Sequence, residues 1–261
     1  MIAPFQFKEA TVPLLISIPH NGSLIPDGLA SQMTEIGRTS TDTDWFLDRL
    51  YDFASSLGAG VLCANYSRYV IDLNRALSDE SLYPGQTTTG LFPTETFDGE
   101  PLFHSERSDA EKKSQIDQIW QPYHSCLQTE LRRLRDKFGS VVLFDAHSIA
   151  SHVPRLFDGQ LPDLNFGTNH GATCDPSLSD TLRRTVELVE TYSHVFNGRF
   201  VGGHITRQYG DPASRIHSVQ LELSQATYLD EADKTWSDEK AQQVSVVLRS
   251  VVEAIMKWVQ S

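Results

Sequence analysis

An apolar run that ends in a cluster of polar side chains constrains the fold of this chain more than any other feature. Residues 141–144 read Val-Val-Leu-Phe, and the sequence Asp-Ala-His-Ser follows directly at 145–148. A short apolar run of β-branched and aromatic residues predicts a strand that is buried on both faces. We therefore expect the polar side chains at the carboxyl end of this strand, where ligands bind in open α/β sheets.

A second stretch near the N-terminus has the same design. Residues 14–18 read Leu-Leu-Ile-Ser-Ile, and His20 follows within the sequence Pro-His-Asn-Gly. Two buried strands that each deliver a histidine, His20 and His147, predict a shared metal or catalytic site. The alternative is that the two histidines lie in loops and have no common role.

The order of strand and helix patterns indicates the fold class. Strand patterns occur at 13–18, 60–65, 141–144, 195–200 and 218–223. Helix patterns occur at 41–57, at 105–137 with an interruption near Pro122, at 176–192 and at 237–259. Strands that alternate with helices predict an α/β protein, with one three-layer domain over residues 1–261 and a mostly parallel mixed sheet. Two irregular segments remain, 78–104 and 149–176, and we expect the first to form a flap over the site.

The net charge limits the partners of the protein. The formal net charge is −12 at pH 7, and an acidic protein repels polyanions, so we expect no nucleic-acid partner. If the substrate is a small anion, local arginines must overcome this overall negative charge.

Apolar runs and cysteine usage indicate the cellular environment. No apolar run approaches about 18 residues and no basic-then-apolar leader begins the chain, so we expect neither a membrane span nor a signal peptide. The three cysteines, Cys63, Cys126 and Cys174, are far apart in the sequence. This pattern predicts free thiols in a reducing cytoplasm and argues against a cysteine zinc site. The oligomeric state is not indicated.

A third metal ligand is needed if the two histidines bind a metal. Hydrolytic zinc sites usually add one carboxylate and leave one position open for water. The candidates are Asp42 and Asp44, at the start of the predicted 41–57 helix, although either could simply cap that helix. We prefer Asp44, because its position can point into the site, whereas Asp42 suits capping. Asp145 could instead orient an imidazole by a hydrogen bond from behind.

Glu222 is the candidate general base. It lies in the strand pattern at 218–223, where Val219 and Leu221 face one way and Gln220 and Glu222 the other. A carboxylate at such a position either forms the inner end of a site or solvates an edge strand. In the first case it would take a proton from the attacking water and pass it to the leaving nitrogen.

Several polar side chains are candidates for binding an anionic substrate. The planar fork of arginine matches a carboxylate at two points, although an ion pair with Asp72 or Asp211 is the alternative for any single arginine. The candidate substrate-binding residues are Arg68, Asn74, Arg75, His204, Thr206 and Arg207. The remaining histidines are expected to be surface or loop residues without a direct role: His104, His124, His152, His170, His194 and His217.

Eight short segments, which occur in order over about residues 13–231, carry a resemblance to a known family. They are 17–22 (Ser-Ile-Pro-His-Asn-Gly), 42–45 (Asp-Thr-Asp-Trp), 66–75 (Tyr-Ser-Arg-Tyr-Val-Ile-Asp-Leu-Asn-Arg), 88–93 (Thr-Thr-Gly-Leu-Phe-Pro), 144–148 (Phe-Asp-Ala-His-Ser), 169–171 (Asn-His-Gly), 202–207 (Gly-Gly-His-Ile-Thr-Arg) and 220–224 (Gln-Leu-Glu-Leu-Ser). Together they resemble the N-formylglutamate amidohydrolase (N-formylglutamate deformylase) family. The coverage makes the resemblance specific, where any one segment would be weak.

The resemblance implies both a fold and an activity. The fold would be zinc-exopeptidase-like (phosphorylase/hydrolase-like), similar to zinc carboxypeptidases. The activity would be metal-dependent hydrolysis of N-formyl-L-glutamate to formate and L-glutamate, the last step of one histidine-degradation route.

The resemblance also implies roles for individual residues. His20 and His147 would bind Zn²⁺, Asn74 and Arg75 would clamp a substrate α-carboxylate, and Glu222 would be the catalytic carboxylate. The carboxypeptidase pattern has a glutamate three residues after its first histidine, and Ser23 stands there in this chain. The third ligand must therefore come from elsewhere, and Asp44 is not implied by the resemblance.

Two other functions are compatible with the same residues. The first is hydrolysis of another N-acyl amino acid or a small-peptide carboxypeptidase activity, which a roomy pocket beyond the metal would favour. The second is non-catalytic binding of an anionic metabolite, which would be favoured if His20, His147 and Glu222 did not converge.

Overall fold

The computed structural model describes residues 2–80 and 88–261, and a mixed seven-stranded sheet lies at the centre of these residues. Its strands are β1 (Phe5–Lys8), β2 (Leu14–Ile18), β3 (Gly60–Ala64), β4 (Val141–Ile149), β5 (Leu164–Gly167), β6 (His194–Phe196) and β7 (Ile216–Ser224). The order across the sheet is β1-β3-β2-β4-β7-β5-β6. Strands β3, β2, β4 and β7 are mutually parallel, whereas β1 pairs antiparallel with β3 and β5 antiparallel with β7. The predicted α/β class with a mostly parallel mixed sheet is confirmed.

Helices pack on both faces of this sheet. They are α1 (Asp27–Ala30), α2 (Glu35–Arg38), α3 (Leu47–Leu50), α4 (Phe53–Ser56), α5 (Asp109–Gln115), α6 (Gln121–Phe138), α7 (Pro176–Glu187), α8 (His204–Tyr209) and α9 (Asp238–Val259). A small hairpin of β8 (Leu229–Asp230) and β9 (Thr235–Trp236) precedes α9. The long helices begin at sequence signals for capping: Ser108 forms a capping box with Glu111, and Ser237 caps α9.

Two apolar clusters divide the core between the two faces of the sheet. One cluster joins α3, α4, α7 and α9 to side chains such as Phe144 and Leu221. The other joins α6 and the irregular segments between strands to side chains such as Leu15 and Leu143. Because residues alternate between faces along a strand, neighbouring residues of β2 and β4 enter different clusters. This arrangement gives the three layers that the sequence predicts.

The helix predicted over 41–57 is wrong in its first half. Residues 41–46 form turns, and the helical part is divided between α3 and α4. Ser40 and Phe46 have positive φ angles of 50° and 59°, which an α-helix does not allow. Neither Asp42 nor Asp44 therefore caps a helix, and both are available for other contacts.

The segment around 145–148 also differs from the prediction. Strand β4 continues to Ile149, so Asp145 and His147 lie within the strand, in its carboxyl half. Several elements have no counterpart among the predicted ones; of those near the site, β5 lies in the segment expected to be irregular, and α8 begins at His204, just after Gly202 and Gly203. Short polar sequences with glycine do not carry the periodicity on which such predictions depend.

The 105–137 pattern is confirmed as a helix with an interruption. Helix α5 passes into a π-helical turn at Ile116–Trp120, and α6 begins just before Pro122. The interruption follows from the missing N–H of proline, which cannot close an intrahelical hydrogen bond. The predicted 78–104 loop is irregular where it is described, and residues 81–87 lie outside the described residues. No helix in 2–80 or 88–261 is long and apolar enough to cross a membrane.

Candidate active site

The candidate site lies at the carboxyl ends of the central parallel strands. His20 follows β2 by two residues, and His147 lies in the neighbouring strand β4. Glu222 of β7 is the registered partner of His147 across the β4–β7 pair. All three side chains are at most 7% exposed. Adjacent strands of one rigid sheet therefore bring together residues that are 202 positions apart in the sequence.

Asp44 enters the site through the turns that replace the first part of the predicted helix. The Thr43 hydroxyl donates to the Ser40 carbonyl at 2.7 Å and shapes this turn. The Asp44 N–H donates to the His20 carbonyl at 3.0 Å, so the backbone of the turn is fixed to the end of β2. Asp42 points elsewhere, because its Oδ2 accepts a hydrogen bond from the Phe97 N–H at 2.8 Å.

Three side chains form a cluster that could hold a metal ion. One potential ligand atom from each of His20, Asp44 and His147 lies within 4.8 Å of the others. Asp44 Oδ2 is 3.9 Å from His20 Nδ1 and 3.2 Å from His147 Nδ1. The two imidazole ring centres are 4.9 Å apart. The Nδ1 atoms of both rings thus face the same carboxylate.

Two further carboxylates contact the opposite edges of these imidazoles. His20 Nε2 is 2.7 Å from Asp72 Oδ1, and His147 Nε2 is 3.2 Å from Asp145 Oδ2. Carboxylates in this position fix the ring orientation and the tautomer of histidines that bind metals. The Thr206 hydroxyl donates to Asp145 Oδ2 at 3.1 Å and holds that carboxylate in place. The position of Asp145 therefore allows it to orient the His147 imidazole from behind, which is the role that the sequence left open.

Burial and charge act differently on the two histidines. Burial and the nearby Arg68 guanidinium lower the pKa of His20. Burial also acts to lower the pKa of His147, but the carboxylates of Asp145 and Asp44 outweigh it and raise this pKa well above its ordinary value. The negative charges of Asp145 and Asp44 next to His147 therefore stabilise positive charge within the cluster.

The residues present fit a divalent cation. Asp44 Oδ1 is buried and has no hydrogen-bond partner among the described residues; an Arg68 guanidinium nitrogen lies 3.9 Å away, beyond hydrogen-bond distance. Leaving a carboxylate oxygen buried without a partner is costly, so such an atom in a native site calls for an ion or another ligand. Two imidazoles and one carboxylate are also a donor set typical of hydrolytic zinc.

Glu222 lies on the face of β7 that turns toward this cluster. Its Oε2 accepts a hydrogen bond from the Gln220 amide at 3.3 Å. Burial raises the pKa of the Glu222 carboxyl, and the negative charge of Asp44 acts in the same direction. Val219 and Leu221 pack into the core on the other face, as the alternation of β7 predicts.

A narrow cavity opens onto the cluster. Its described lining includes His20, His147 and Glu222 and encloses about 70 Å³. The other lining residues are Arg68, Asn74, Arg75, Thr88, Thr89, Phe97, Ser148, Ile149, Leu156, Arg199, Phe200, Gly203 and Gln220. Thr88 and Thr89 belong to the loop that we predict to be a flap, which places the described part of that loop at the cavity wall.

Three of the predicted substrate-binding residues line this cavity. Arg68 donates from Nη2 to Asp72 Oδ2 at 2.7 Å and stacks on the Phe97 ring, with 4.8 Å between the guanidinium carbon and the ring centre. Arg75 donates from Nε to the Thr89 carbonyl at 2.7 Å. Asn74 lies directly behind the cluster, because its Nδ2 is 3.0 Å from His147 Nε2.

The other three lie outside the cavity wall that the described residues form. Thr206 is bonded to Asp145, as described above. Arg207 donates from Nε to the Gly202 carbonyl at 2.9 Å. His204 is half-buried, and its ring lies beside those of Trp120 and His124.

The expectation of a surface or loop position is wrong for His217, which lies in β7 and is 5% exposed, and for His124. His124 lies in α6 and is 5% exposed, with Nε2 2.9 Å from the Leu73 carbonyl and Nδ1 2.9 Å from the Tyr209 hydroxyl. Its ring stacks on Trp120 at 3.8 Å, and Trp120 in turn donates to the Arg75 carbonyl at 3.0 Å. These two aromatic residues thus hold the segment that carries Asp72, Asn74 and Arg75.

Arg199 is a cavity residue that the sequence patterns do not reveal. It follows β6 by three residues and lines the cavity together with its neighbour Phe200. The rule that ligands bind at the carboxyl ends of parallel strands does not predict this residue. Strand β6 pairs with β5, and both run antiparallel to β7, so the carboxyl end of β6 does not point the same way as those of the central strands. The sequence offers one indication, that Arg199 shortly precedes Gly202 and Gly203. A single arginine before two glycines does not form a recognisable motif, so its role could not be predicted.

Comparison with known proteins identifies close relatives in sequence. The family described as N-formylglutamate amidohydrolase matches residues 12–229. The N-formylglutamate deformylases of Pseudomonas putida and Pseudomonas aeruginosa are 51% and 49% identical to this chain over 256 residues. Each match covers 97% of this chain and 96% of the relative.

Solved structures share the fold. The crystal structure of an N-formylglutamate amidohydrolase from Ralstonia eutropha superposes with a TM-score of 0.83 at 24% identity, over 99% of this chain and 98% of that one. A gene product of Agrobacterium tumefaciens superposes with a TM-score of 0.75 at 15% identity, over 99% and 97% of the two chains. The resemblance seen in the eight sequence segments is confirmed: the chain belongs to the N-formylglutamate amidohydrolase family.

Proposed function

We propose that this protein hydrolyses the formamide bond of N-formyl-L-glutamate to give formate and L-glutamate, with one Zn²⁺ ion held by His20, Asp44 and His147. The observation that carries the proposal is the cluster of these three residues, of which His20 and His147 line one arginine-lined cavity together with Glu222. The two deformylases that are about half identical over nearly the whole chain support the choice of substrate.

The metal ligands have distinct parts in the proposed site. A divalent metal there would polarise the formyl carbonyl and make a water molecule more acidic. Asp44 supplies the anionic ligand, and its buried Oδ1 explains why a cation is needed. Asp72 and Asp145 keep the Nδ1 atoms of His20 and His147 directed at Asp44 by contacting Nε2 of each ring.

Glu222 is the proton carrier in this proposal. It accepts a proton from the water that attacks the formyl carbon, and it donates that proton to the nitrogen as the carbon–nitrogen bond breaks. The products are formate and the free amino group of glutamate. Because its carboxyl group is buried and bonded to Gln220, its position is fixed relative to His147 on the adjacent strand.

Arg68 and Arg75 act on the charges of the reacting molecule. The Arg68 guanidinium, held between Asp72 and the Phe97 ring, is the cation placed to stabilise the oxyanion that develops at the formyl carbon. Arg75 faces the cavity next to Asn74 and binds the α-carboxylate. Asn74 lies against the His147 ring, with its amide nitrogen 3.0 Å from Nε2, and acts by limiting the position of that ring.

The described part of the cavity is narrow, about 70 Å³, and is compatible with a small acyl group such as formyl. The proposal places the enzyme in the cytoplasm, in a histidine-degradation route, as the resemblance to deformylases and the free cysteines suggest.

Metal analysis of the purified protein, combined with an assay of formate release, tests the proposal. We expect about one zinc per chain and turnover of N-formylglutamate that a chelator abolishes and added Zn²⁺ restores. His20→Ala should lose both metal and activity, while His104→Ala, at an exposed site, should keep both. Full activity in a metal-free preparation would overturn the metal assignment. Faster turnover of N-acetylglutamate than of N-formylglutamate would overturn the substrate.

A further inference from the structure

We infer that Arg199 binds the side-chain carboxylate of the substrate and thereby sets the preference for an acidic amino acid. The inference rests on the proposed function, because it assigns a second charge of the same substrate. N-formylglutamate carries two carboxylates, and a protein of net charge −12 must supply a local cation for each. The described lining of the cavity contains three arginines, Arg68, Arg75 and Arg199.

Arg68 is committed to the reacting end of the cavity. It is 8% exposed, donates to Asp72 at 2.7 Å and lies 3.9 Å from Asp44 Oδ1. Its guanidinium therefore lies between two carboxylates, beside the proposed metal ligands. A substrate carboxylate bound at Arg68 would occupy the position of the formyl group.

Arg75 is matched to the carboxylate nearer the formamide. It adjoins Asn74, whose side chain contacts His147, and its own Nε is fixed by the Thr89 carbonyl. In the substrate, the α-carboxylate is separated from the formyl carbon by the nitrogen and the α-carbon alone. The side-chain carboxylate lies two methylene groups further away and needs a cation on another part of the wall.

Arg199 has the surroundings that this second carboxylate requires. Its Nε donates to the Leu156 carbonyl at 2.6 Å, and its guanidinium carbon lies 5.2 Å from the centre of the Phe200 ring. Leu156 and Phe200 also line the cavity, so apolar surface adjoins the cation. The substrate side chain has a matching order: two apolar methylene groups are followed by a carboxylate. Fixing Nε orients the planar guanidinium, which binds a carboxylate with a defined geometry.

Arg68 and Arg207 are the other arginines among the candidate substrate-binding residues that the sequence indicates. The Arg207 Nε donates to the Gly202 carbonyl, and this residue is outside the described lining of the cavity. Arg207 is therefore the matched control: it is an arginine from the same part of the chain, eight positions away, with a comparable bond to a backbone carbonyl.

Steady-state kinetics on two substrates of equal size test the assignment. N-formylglutamine replaces the side-chain carboxylate by a neutral amide and keeps the formamide and the α-carboxylate. For Arg199→Met we expect kcat/KM on N-formylglutamate to fall about 10- to 100-fold, mainly through KM, the scale of one lost hydrogen-bonded charge contact. On N-formylglutamine the same substitution should change kcat/KM less than about threefold. Arg207→Met should not discriminate between the two substrates.

The outcomes separate this inference from the proposed function. Equal losses on both substrates for Arg199→Met would show a structural role and overturn the inference. A selective loss for Arg207→Met alone would move the assignment to Arg207. If Arg199→Met does not fold, Arg199→Lys keeps a cation and should retain the preference for N-formylglutamate with a raised KM. Absence of wild-type turnover on N-formylglutamate would instead refute the proposed function.

Discussion

In the carboxyl halves of strands β4 and β7 the two faces have opposite chemistry, although one backbone carries both. On one face, Phe144 and Leu221 are fully buried among apolar side chains of α7 and α9. On the other, His147, Glu222 and Asp145 are buried among charges and hydrogen-bond partners. Because side chains alternate along a strand, the site lies on the face opposite one apolar cluster, beyond Val141 and Leu143, which pack into the second cluster.

The apolar face of the strands keeps the site on the other face rigid. The apolar face fixes the position of the central strands, and each strand then presents its polar residues from a backbone bonded on both sides. Pairing offsets part of the cost of burying charge here: Asp72 contacts both His20 and Arg68, whereas Asp44 Oδ1 has no hydrogen-bond partner among the described residues. Substitutions on the apolar face should therefore change stability, and substitutions on the polar face should change metal binding or turnover.

The largest effect should follow from breaking the apolar face. Phe144→Ala removes a fully buried ring from the central strand, and we expect the free energy of unfolding to fall by about 3–5 kcal/mol. Chemical denaturation measures this loss. The zinc content of the molecules that remain folded should not change, since Phe144 faces away from His147. Loss of metal without loss of stability would contradict the separation of the two faces.

A smaller effect on free energy, but a larger one on function, is expected on the polar face. Glu222→Gln keeps the shape of the side chain and removes its basicity, so turnover should fall roughly 10²-fold or more with zinc content intact. Glu130→Gln is the matched control, because Glu130 is also buried but pairs with Arg133 on α6. Normal turnover of Glu222→Gln would mean that another carboxylate carries the proton.

Next in size is the effect of the carboxylates behind the imidazoles. Asp72→Asn weakens the contact that orients His20, and we expect zinc affinity to fall about 10- to 100-fold in a competition assay with a chelator. Asp42→Asn removes another buried carboxylate, one that is bonded to the Phe97 N–H instead, and should leave zinc affinity unchanged. Equal effects of the two substitutions would argue against the role assigned to Asp72.

The smallest effect concerns the pH dependence of stability. Burial lowers the pKa of His124 from 6.5 to about 3, and the charge of His204 acts in the same direction. Between these values the unfolded chain binds a proton that the folded protein does not, so this residue makes stability fall as the pH decreases from 6.5 toward 3. His124→Gln should flatten that dependence by up to about 1.4 kcal/mol per pH unit in denaturation experiments. His104→Gln, at an exposed site, should follow the wild type, and an unchanged slope in His124→Gln would show that His124 does not contribute.

Part of the site could be predicted because strand-end residues obey a simple rule. His20 and His147 follow or end apolar runs, and the rule for α/β sheets places such residues at one edge. Alternation predicts that Glu222 shares a face with Gln220, opposite Val219 and Leu221, but leaves open whether that face belongs to a site or to an edge strand. The third ligand was a choice between Asp42 and Asp44, and the structure brings Asp44 to the histidines.

Other residues could not be placed without the structure. The 41–57 segment has helical spacing, but the positive φ angles at Ser40 and Phe46 override that local preference. Arg207 and Arg199 differ in whether they line the cavity, which depends on the direction of β5 and β6. His124 looks like a histidine on the surface of an amphipathic helix until its contacts with Leu73 and Tyr209 are seen.

Periodicity and short-range patterns are sufficient to predict the α/β class, the central strands and the types of side chain at their ends. Which carboxylate lies beside His20 and His147, and which arginines reach the cavity, is seen only in the folded protein. Those choices depend on strand direction and on turns whose geometry is fixed by distant contacts, such as the hydrogen bond from the Asp44 N–H to the His20 carbonyl. Local sequence carries no record of these contacts, since each joins segments that meet only after the sheet has formed.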